Sequence, residues 1–158
     1  MNSNGQNGVE TERLLVEHDQ LLSRSRHAEA KVLLQDALVA AYEDNPMSMD
    51  VIRLLDALAL GCKEVEQFQE ASVYLAQSLA LKKLLLGPKH PDIVIAMRRL
   101  GFCLDPDRAR VIRVATKRLA KELGLTDQII VEDLVAEDHL LTAEQLAKLE
   151  RLLKHCEN

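Results

Sequence analysis

Tryptophan is absent from this 158-residue chain, and phenylalanine and tyrosine occur twice each. Aromatic side chains make up 3% of the sequence, too few to stack the bases of a single-stranded nucleic acid, so that mode of binding is disfavoured. Turn residues are scarce too, with 6 Gly and 4 Pro, and Leu and Ala supply most of the apolar content. β-Architectures draw on frequent turns and on aromatic and β-branched residues, so they are disfavoured in turn. The three cysteines, Cys62, Cys103 and Cys156, are odd in number and far apart. They form neither a disulfide framework nor a zinc-ligand pattern, and a reducing, cytoplasmic compartment is expected. No apolar run approaches the length of roughly 18 residues that a membrane span needs, so none is predicted. Residues 1–8 combine no basic start with no apolar stretch, and no secretory signal is expected there. The net charge of −5 excludes a whole-protein basic field for nucleic acid or anionic lipid, leaving only a local patch for such a role.

The rest of the chain, 47% hydrophobic and 28% charged, has a globular composition and the length of one domain. After a lead over 1–8 that reads as disordered, the apolar residues recur with helical period. Ala30, Leu33, Leu34, Ala37, Leu38 and Ala41 form one such stripe. Asn45-Pro46 stops that helix, because the residue before proline avoids the helical region. Ser48 is placed to cap the next helix, which runs to about Cys62 with Val51, Leu54, Leu55, Leu58 and Ala59 on one side. A long helix over about 67–86 ends at Gly87-Pro88, and Pro91 suits the first turn of another. Asp105-Pro106 separates that helix from one running to about Leu123, and two shorter helices are predicted over about 126–137 and 142–155. No strand is predicted.

Internal repetition distinguishes a closed bundle from an open stack. A shift of 41 places Glu29-Ala30 on Glu70-Ala71, Val32 on Val73, Leu34 on Leu75 and Leu38 on Leu79. A shift of 42 places Asp50 on Asp92, Val51 on Ile93, Leu55 on Met97, Leu58 on Leu100 and Ala59 on Gly101. Both halves of a helix–turn–helix unit therefore recur. Such a unit cannot bury its apolar face alone, so neighbours stack. Small residues at Ala59 and Ala71 fit positions where the paired helices approach most closely.

The stretch from Glu70 through Ala71, Tyr74, Leu75 and Leu79 to Leu85-Leu86-Gly87-Pro88-Lys89-His90-Pro91-Asp92 resembles the tetratricopeptide repeat family, in its longer, kinesin-light-chain-like form. The resemblance is best over 48–104. In the first unit His18 stands where a small residue belongs, and the turn at Asp105-Pro106 is about four residues shorter than the turn before Ala71. It implies an all-α solenoid of about three helical hairpins over 9–124, with 125–158 as a C-terminal capping pair. It also implies that the first helix of each hairpin lines a concave face holding a peptide or helix of another protein. Carried over, the partner-binding candidates are Leu15, Asp19 and Leu22, then Arg53, Asp56, Leu60 and Lys63, then Ile95, Arg98, Arg99 and Phe102. Basic residues predominate there, so an acidic and apolar partner segment is the expected complement. The subtype that clamps a C-terminal carboxylate uses Lys and Asn at positions that here hold Leu15, Asp19, Ala57, Ile95 and Arg99, and is not expected.

No phosphate loop, nucleophile elbow or zinc-protease motif occurs. Glu132-Asp133 and Glu137-Asp138 are adjacent and diverge on a helix. His18, His27, His90, His139 and His155 are scattered, and His155-Cys156 is too small a set for a metal site. No enzyme activity, cofactor or metal is expected. On the last long helix Arg110, Arg113, Lys117 and Lys121 form a basic stripe, with Val111, Ile112, Ala115, Leu119 and Leu123 on the opposite side. The stripe reads as the solvated face of an amphipathic helix, which the acidic 127–138 segment could screen. The alternative is a regulatory surface for an acidic partner, RNA or an anionic membrane, although nucleic acid is not the expected partner. The leading expectation is a cytoplasmic interaction module or adaptor. A scaffold that forms homo-oligomers through the solenoid ends is the other alternative.

Overall fold

A computed structural model of the chain describes residues 3–125, which are all-helical with no strand among them. Six helices follow in order: α1 Ser3–Ser23, α2 His27–Asp44, α3 Met49–Glu64, α4 Phe68–Leu86, α5 Pro91–Cys103 and α6 Pro106–Glu122. The two further helices predicted within the capping segment 125–158 lie outside the described residues.

The helix boundaries follow from local chemistry. Asn45 is extended, with φ −153° and ψ 99°, as a residue before proline must be, and α2 ends there. Ser48 caps α3, its hydroxyl accepting from the Val51 N–H at 3.3 Å. Its counterpart at a shift of 42, His90, caps α5 through Nδ1, which accepts from the Asp92 N–H at 3.2 Å. Asp105 caps α6 with a carboxylate oxygen 3.1 Å from the Arg108 N–H. Pro91 and Pro106 occupy first-turn positions, where the missing N–H leaves no bond unmade.

The lead expected to be disordered over 1–8 is instead helical from Ser3. Gly5 and Gly8 each weaken a helix by about 1 kcal/mol, which is why the sequence reads as disordered there. The extension has a tertiary partner, since Asn7 Nδ2 donates to Asp44 Oδ2 at 2.7 Å.

The chain divides into two compact units, one holding α1–α4 and the other α5–α6. In the first unit α1 packs on α2, α2 on α3 and α3 on α4, and α1 also meets α3. The core cluster is Leu34 and Leu38 of α2 with Val51, Leu54, Leu55 and Leu58 of α3, flanked by Leu14, Leu15, Tyr74 and Leu81. Burying each leucine of this size contributes about 2 kcal/mol. Ala59 and Ala71 are fully buried on α3 and α4. In the second unit α5 packs on α6 around Val94 and Ala120, with Ile95, Leu119, Leu123 and Leu125 against them. A Cβ on Gly101 would lie 3.4 Å from the Ile112 side chain, so the two helices run close together at that point.

The α1–α2 and α3–α4 turns have the same backbone geometry at a shift of 41. Ser25 (φ 58°) and Glu66 (φ 60°) are both left-handed. Behind them the Arg26 N–H donates to the Leu21 carbonyl at 2.9 Å and the Gln67 N–H to the Cys62 carbonyl at 2.8 Å. This is the six-to-one bond that closes a helix with a left-handed residue after its cap. The Ala30 N–H to Arg26 carbonyl bond and the Ala71 N–H to Gln67 carbonyl bond, both 3.0 Å, then start the second helix of each pair. The α5–α6 turn departs from this pattern, because Asp105 and Pro106 begin α6 directly after Leu104. A side chain in the left-handed region costs roughly 1 kcal/mol relative to glycine. Ser25→Gly and Glu66→Gly should therefore each raise stability by about 0.5–1 kcal/mol, read as a higher urea midpoint at unchanged slope.

Candidate partner-binding site

Helices α1 and α3 occupy equivalent places in the repeat and pack against each other. Their outward residues were the sequence-derived candidates in the first unit. Arg53 on α3 is ion-paired with Glu12 on α1, and its other guanidinium nitrogen lies 3.8 Å from Asp50. Glu12 was missed as a candidate, yet it lies 41 residues before Arg53, so the repeat shift pairs the two positions. The same shift pairs Val16, which is 50% exposed, with Ala57. Asp19 is exposed, and Leu60 and Lys63 are half-buried on α3.

Three candidates of the first unit face inward. Leu15 packs against the core cluster, and Leu22 is buried. Asp56 is turned toward α4, where its carboxylate accepts from Ser78 Oγ at 2.5 Å and from Lys82 Nζ at 2.7 Å. Ser78 and Lys82 are themselves buried, so Asp56 offsets a sequestered ammonium and ties the second hairpin together. In the second unit Ile95 packs against the Val94–Ala120 cluster, whereas Arg98, Arg99 and Phe102 are half-buried on successive turns of α5.

The His18 anomaly has a structural answer. Its ring is 1% exposed, and a Cβ on Gly61 of α3 would lie 3.3 Å from His18 Nε2. The missing side chain at residue 61 thus accommodates the ring that replaces a small residue at position 18. His18 Nδ1 lies 3.3 Å from Asp19 Oδ1. Burial holds the His18 pKa below its ordinary value, and the Asp19 carboxylate opposes that shift only in part.

A cavity of about 290 Å³ opens beside this contact, lined by His18, His27, Lys31, Gly61, Cys62 and Gln67 among others. Lys31, on its lining, is tied to α4. Lys31 Nζ donates to Glu70 Oε2 at 2.7 Å, the Tyr74 hydroxyl donates to Glu70 Oε1 at 3.3 Å, and Gln35 Nε2 donates to the Tyr74 oxygen at 3.1 Å. The Glu70 bond raises the Lys31 pKa. His27 Nδ1 is 3.5 Å from Glu64 Oε2. Burial pushes the Cys62 thiol up, so it is held as the weakly reactive protonated form. Among the described residues no three His, Cys, Asp or Glu side chains converge as a metal site. His139, His155 and Cys156 lie outside them.

On α6 the four predicted stripe residues, Arg110, Arg113, Lys117 and Lys121, are all exposed. The expected apolar side needs correction. Val111 is 70% exposed and Ala115 is exposed, because the buried seam consists of Ala109, Thr116 and Ala120, with Ile112, Leu119 and Leu123 half-buried beside it. Small residues let the helices approach closely and rotate the seam away from Val111.

Among the described residues no helix is long and apolar enough to cross a membrane. No family model matches the chain, and no curated protein matches it.

Two measurements probe the His18–Gly61 contact. Gly61→Ala should gain nothing in the native background, because the ring opposes the roughly 1 kcal/mol of helix propensity that alanine supplies. The same substitution in a His18→Ala background should recover that gain, giving a coupling of about 1 kcal/mol in a double-mutant cycle. The depressed His18 pKa has a pH consequence. Below the ordinary value of 6.5 the unfolded chain binds a proton that the native chain refuses. Stability should therefore fall as pH drops from 6.5 toward the native value, and be flat with respect to this group above it. Urea midpoints across that range should show the decline, and His18→Ala should remove this component of it.

Proposed function

We propose that this chain is a non-catalytic interaction module of about three tetratricopeptide-like hairpins. Their first helices hold an acidic and apolar peptide or helix of a partner protein. The observation that carries the reading is the turn repeated at Ser25 and Glu66, with the same left-handed residue and the same bond across it at a shift of 41. The packing of α1 on α3 as well as on α2 supports the same reading, because side-by-side hairpins bring their first helices together.

The recognition residues are the candidates that are exposed or half-buried and lie outside the core clusters. In the first unit these are Asp19, Arg53, Leu60 and Lys63, with Val16 added. On α5 they are Arg98, Arg99 and Phe102. The basic majority selects carboxylates, and Phe102, Leu60 and Val16 offer apolar contacts. The helices are formed before binding, so little ordering entropy opposes association. The buried free thiol of Cys62 accords with a reducing cytoplasm as the working compartment.

The test begins with the partner captured from the native source on the full chain, followed by mapping of its bound segment. Arg53→Glu and Arg98→Glu, singly and together, should each weaken binding of that segment by about tenfold or more while circular dichroism stays native. Binding that survives the double charge reversal intact assigns recognition to another surface.

A further inference from the structure

Helix α6 carries six cations, Arg108, Arg110, Arg113, Lys117, Arg118 and Lys121, and two carboxylates, Asp107 and Glu122, in a chain whose net charge is −5. Both carboxylates sit near its ends. Asp107 Oδ1 lies 3.3 Å from an Arg110 guanidinium nitrogen, and Glu122 Oε2 lies 3.7 Å from Lys89 Nζ. Arg113 Nε donates to the Ala109 carbonyl of its own helix at 3.3 Å. Among the described residues, no carboxylate lies within ion-pair distance of Arg113, Lys117, Arg118 or Lys121.

Arg113, Lys117 and Lys121 recur at intervals of one turn, about 6 Å along the axis. Like charges at this spacing repel, so the row opposes the helix that carries it. Next to Lys117 on the helix surface Val114 is 60% exposed, and Val111, one turn before Val114, is 70% exposed. Neither valine is needed for packing on α5, whose seam is made by Ala109, Thr116 and Ala120.

We infer that this face docks an acidic amphipathic helix of a partner protein. Carboxylates four residues apart on such a helix have the same one-turn spacing as Arg113, Lys117 and Lys121. A narrow aliphatic strip beside them covers Val111 and Val114. The valines decide the class of partner. A nucleic-acid backbone offers phosphates but nothing apolar to cover them, and α6 has no aromatic ring on which a base could stack. An anionic bilayer attracts the cations, but interfacial helices immerse large apolar residues. Here Ile112, Leu119 and Leu123 are half-buried beside the seam instead. The surface shares no residue with the proposed peptide-binding set, so it goes beyond that reading and its failure leaves the other intact.

The probe is a fluorescein-labelled synthetic helix with glutamates four residues apart beside a leucine strip. It is titrated with the full chain alongside a scrambled peptide of the same composition, heparin, and vesicles of phosphatidylserine and phosphatidylcholine. The patterned helix should bind more tightly than the scrambled one. Arg113→Glu with Lys117→Glu should weaken its binding by about tenfold or more. Val111→Ser with Val114→Ser, which leaves every charge in place, should also weaken it, and circular dichroism should remain helical throughout. If the charge reversal unfolds the chain, Lys117→Gln with Lys121→Gln provides the same comparison. Equal binding of both peptides, indifference to the valine substitutions, or binding of heparin or vesicles in preference to the patterned helix would each overturn the inference.

Discussion

The first unit depends on the burial of α3. Helices α1, α2 and α4 all pack on it, and Val51, Ile52, Leu54, Leu55, Leu58, Ala59 and Cys62 are buried along its length. At 100° per residue these positions cover about 160° of arc. Met49, Arg53, Leu60 and Lys63 belong to what remains. The proposed recognition face is thus the remainder of a packing solution, and a substitution that rotates α3 would alter the core and that face together. Asp56 shows how tightly the two are joined. It sits on the edge of the outward strip, yet its carboxylate is drawn back over α4 by Ser78 and Lys82.

The repeat is imperfect, and its imperfections are compensated locally. His18 stands at the register of Ala59, and the space its ring takes is made on the facing helix at Gly61. Glycine inside a helix weakens it, so Gly61 is favourable only while the ring is there. The exchange also leaves a polar, titratable group in an interior that its homologous position fills with a methyl. The cavity lies beside this contact, with Lys31 of its lining held by Glu70 of α4.

The helices were legible because their ends are written in strong punctuation. Asn45-Pro46, Gly87-Pro88 and Asp105-Pro106 leave the backbone little choice, and the apolar period between them is regular. The extension of α1 was not legible, because Gly5 and Gly8 argue locally against it and its support at Asp44 is far away in sequence. The direction of Asp56 was hidden for a similar reason: helical period places it outward, and only Ser78 and Lys82 pull it in. On α6 the error had another source. Helical period centred on Ile112, Leu119 and Leu123 also draws in Val111 and Ala115, whereas close approach centres the seam on the small residues Ala109, Thr116 and Ala120.

The charge patterns of the two helices proposed to bind partners differ. On α3 Arg53 is answered by Glu12 and Asp50, so its charge is partly neutralised before any partner arrives. A partner's carboxylate must compete with Glu12 for it, which favours specificity over strength. On α6 the row from Arg113 to Lys121 has no such intramolecular answer among the described residues, and its members repel one another. An acidic ligand there gains both the new attraction and the relief of that repulsion. Of the two surfaces, α6 should therefore respond more steeply to salt, because an exposed, unanswered row is screened directly while a pre-paired arginine is screened on both sides of the exchange.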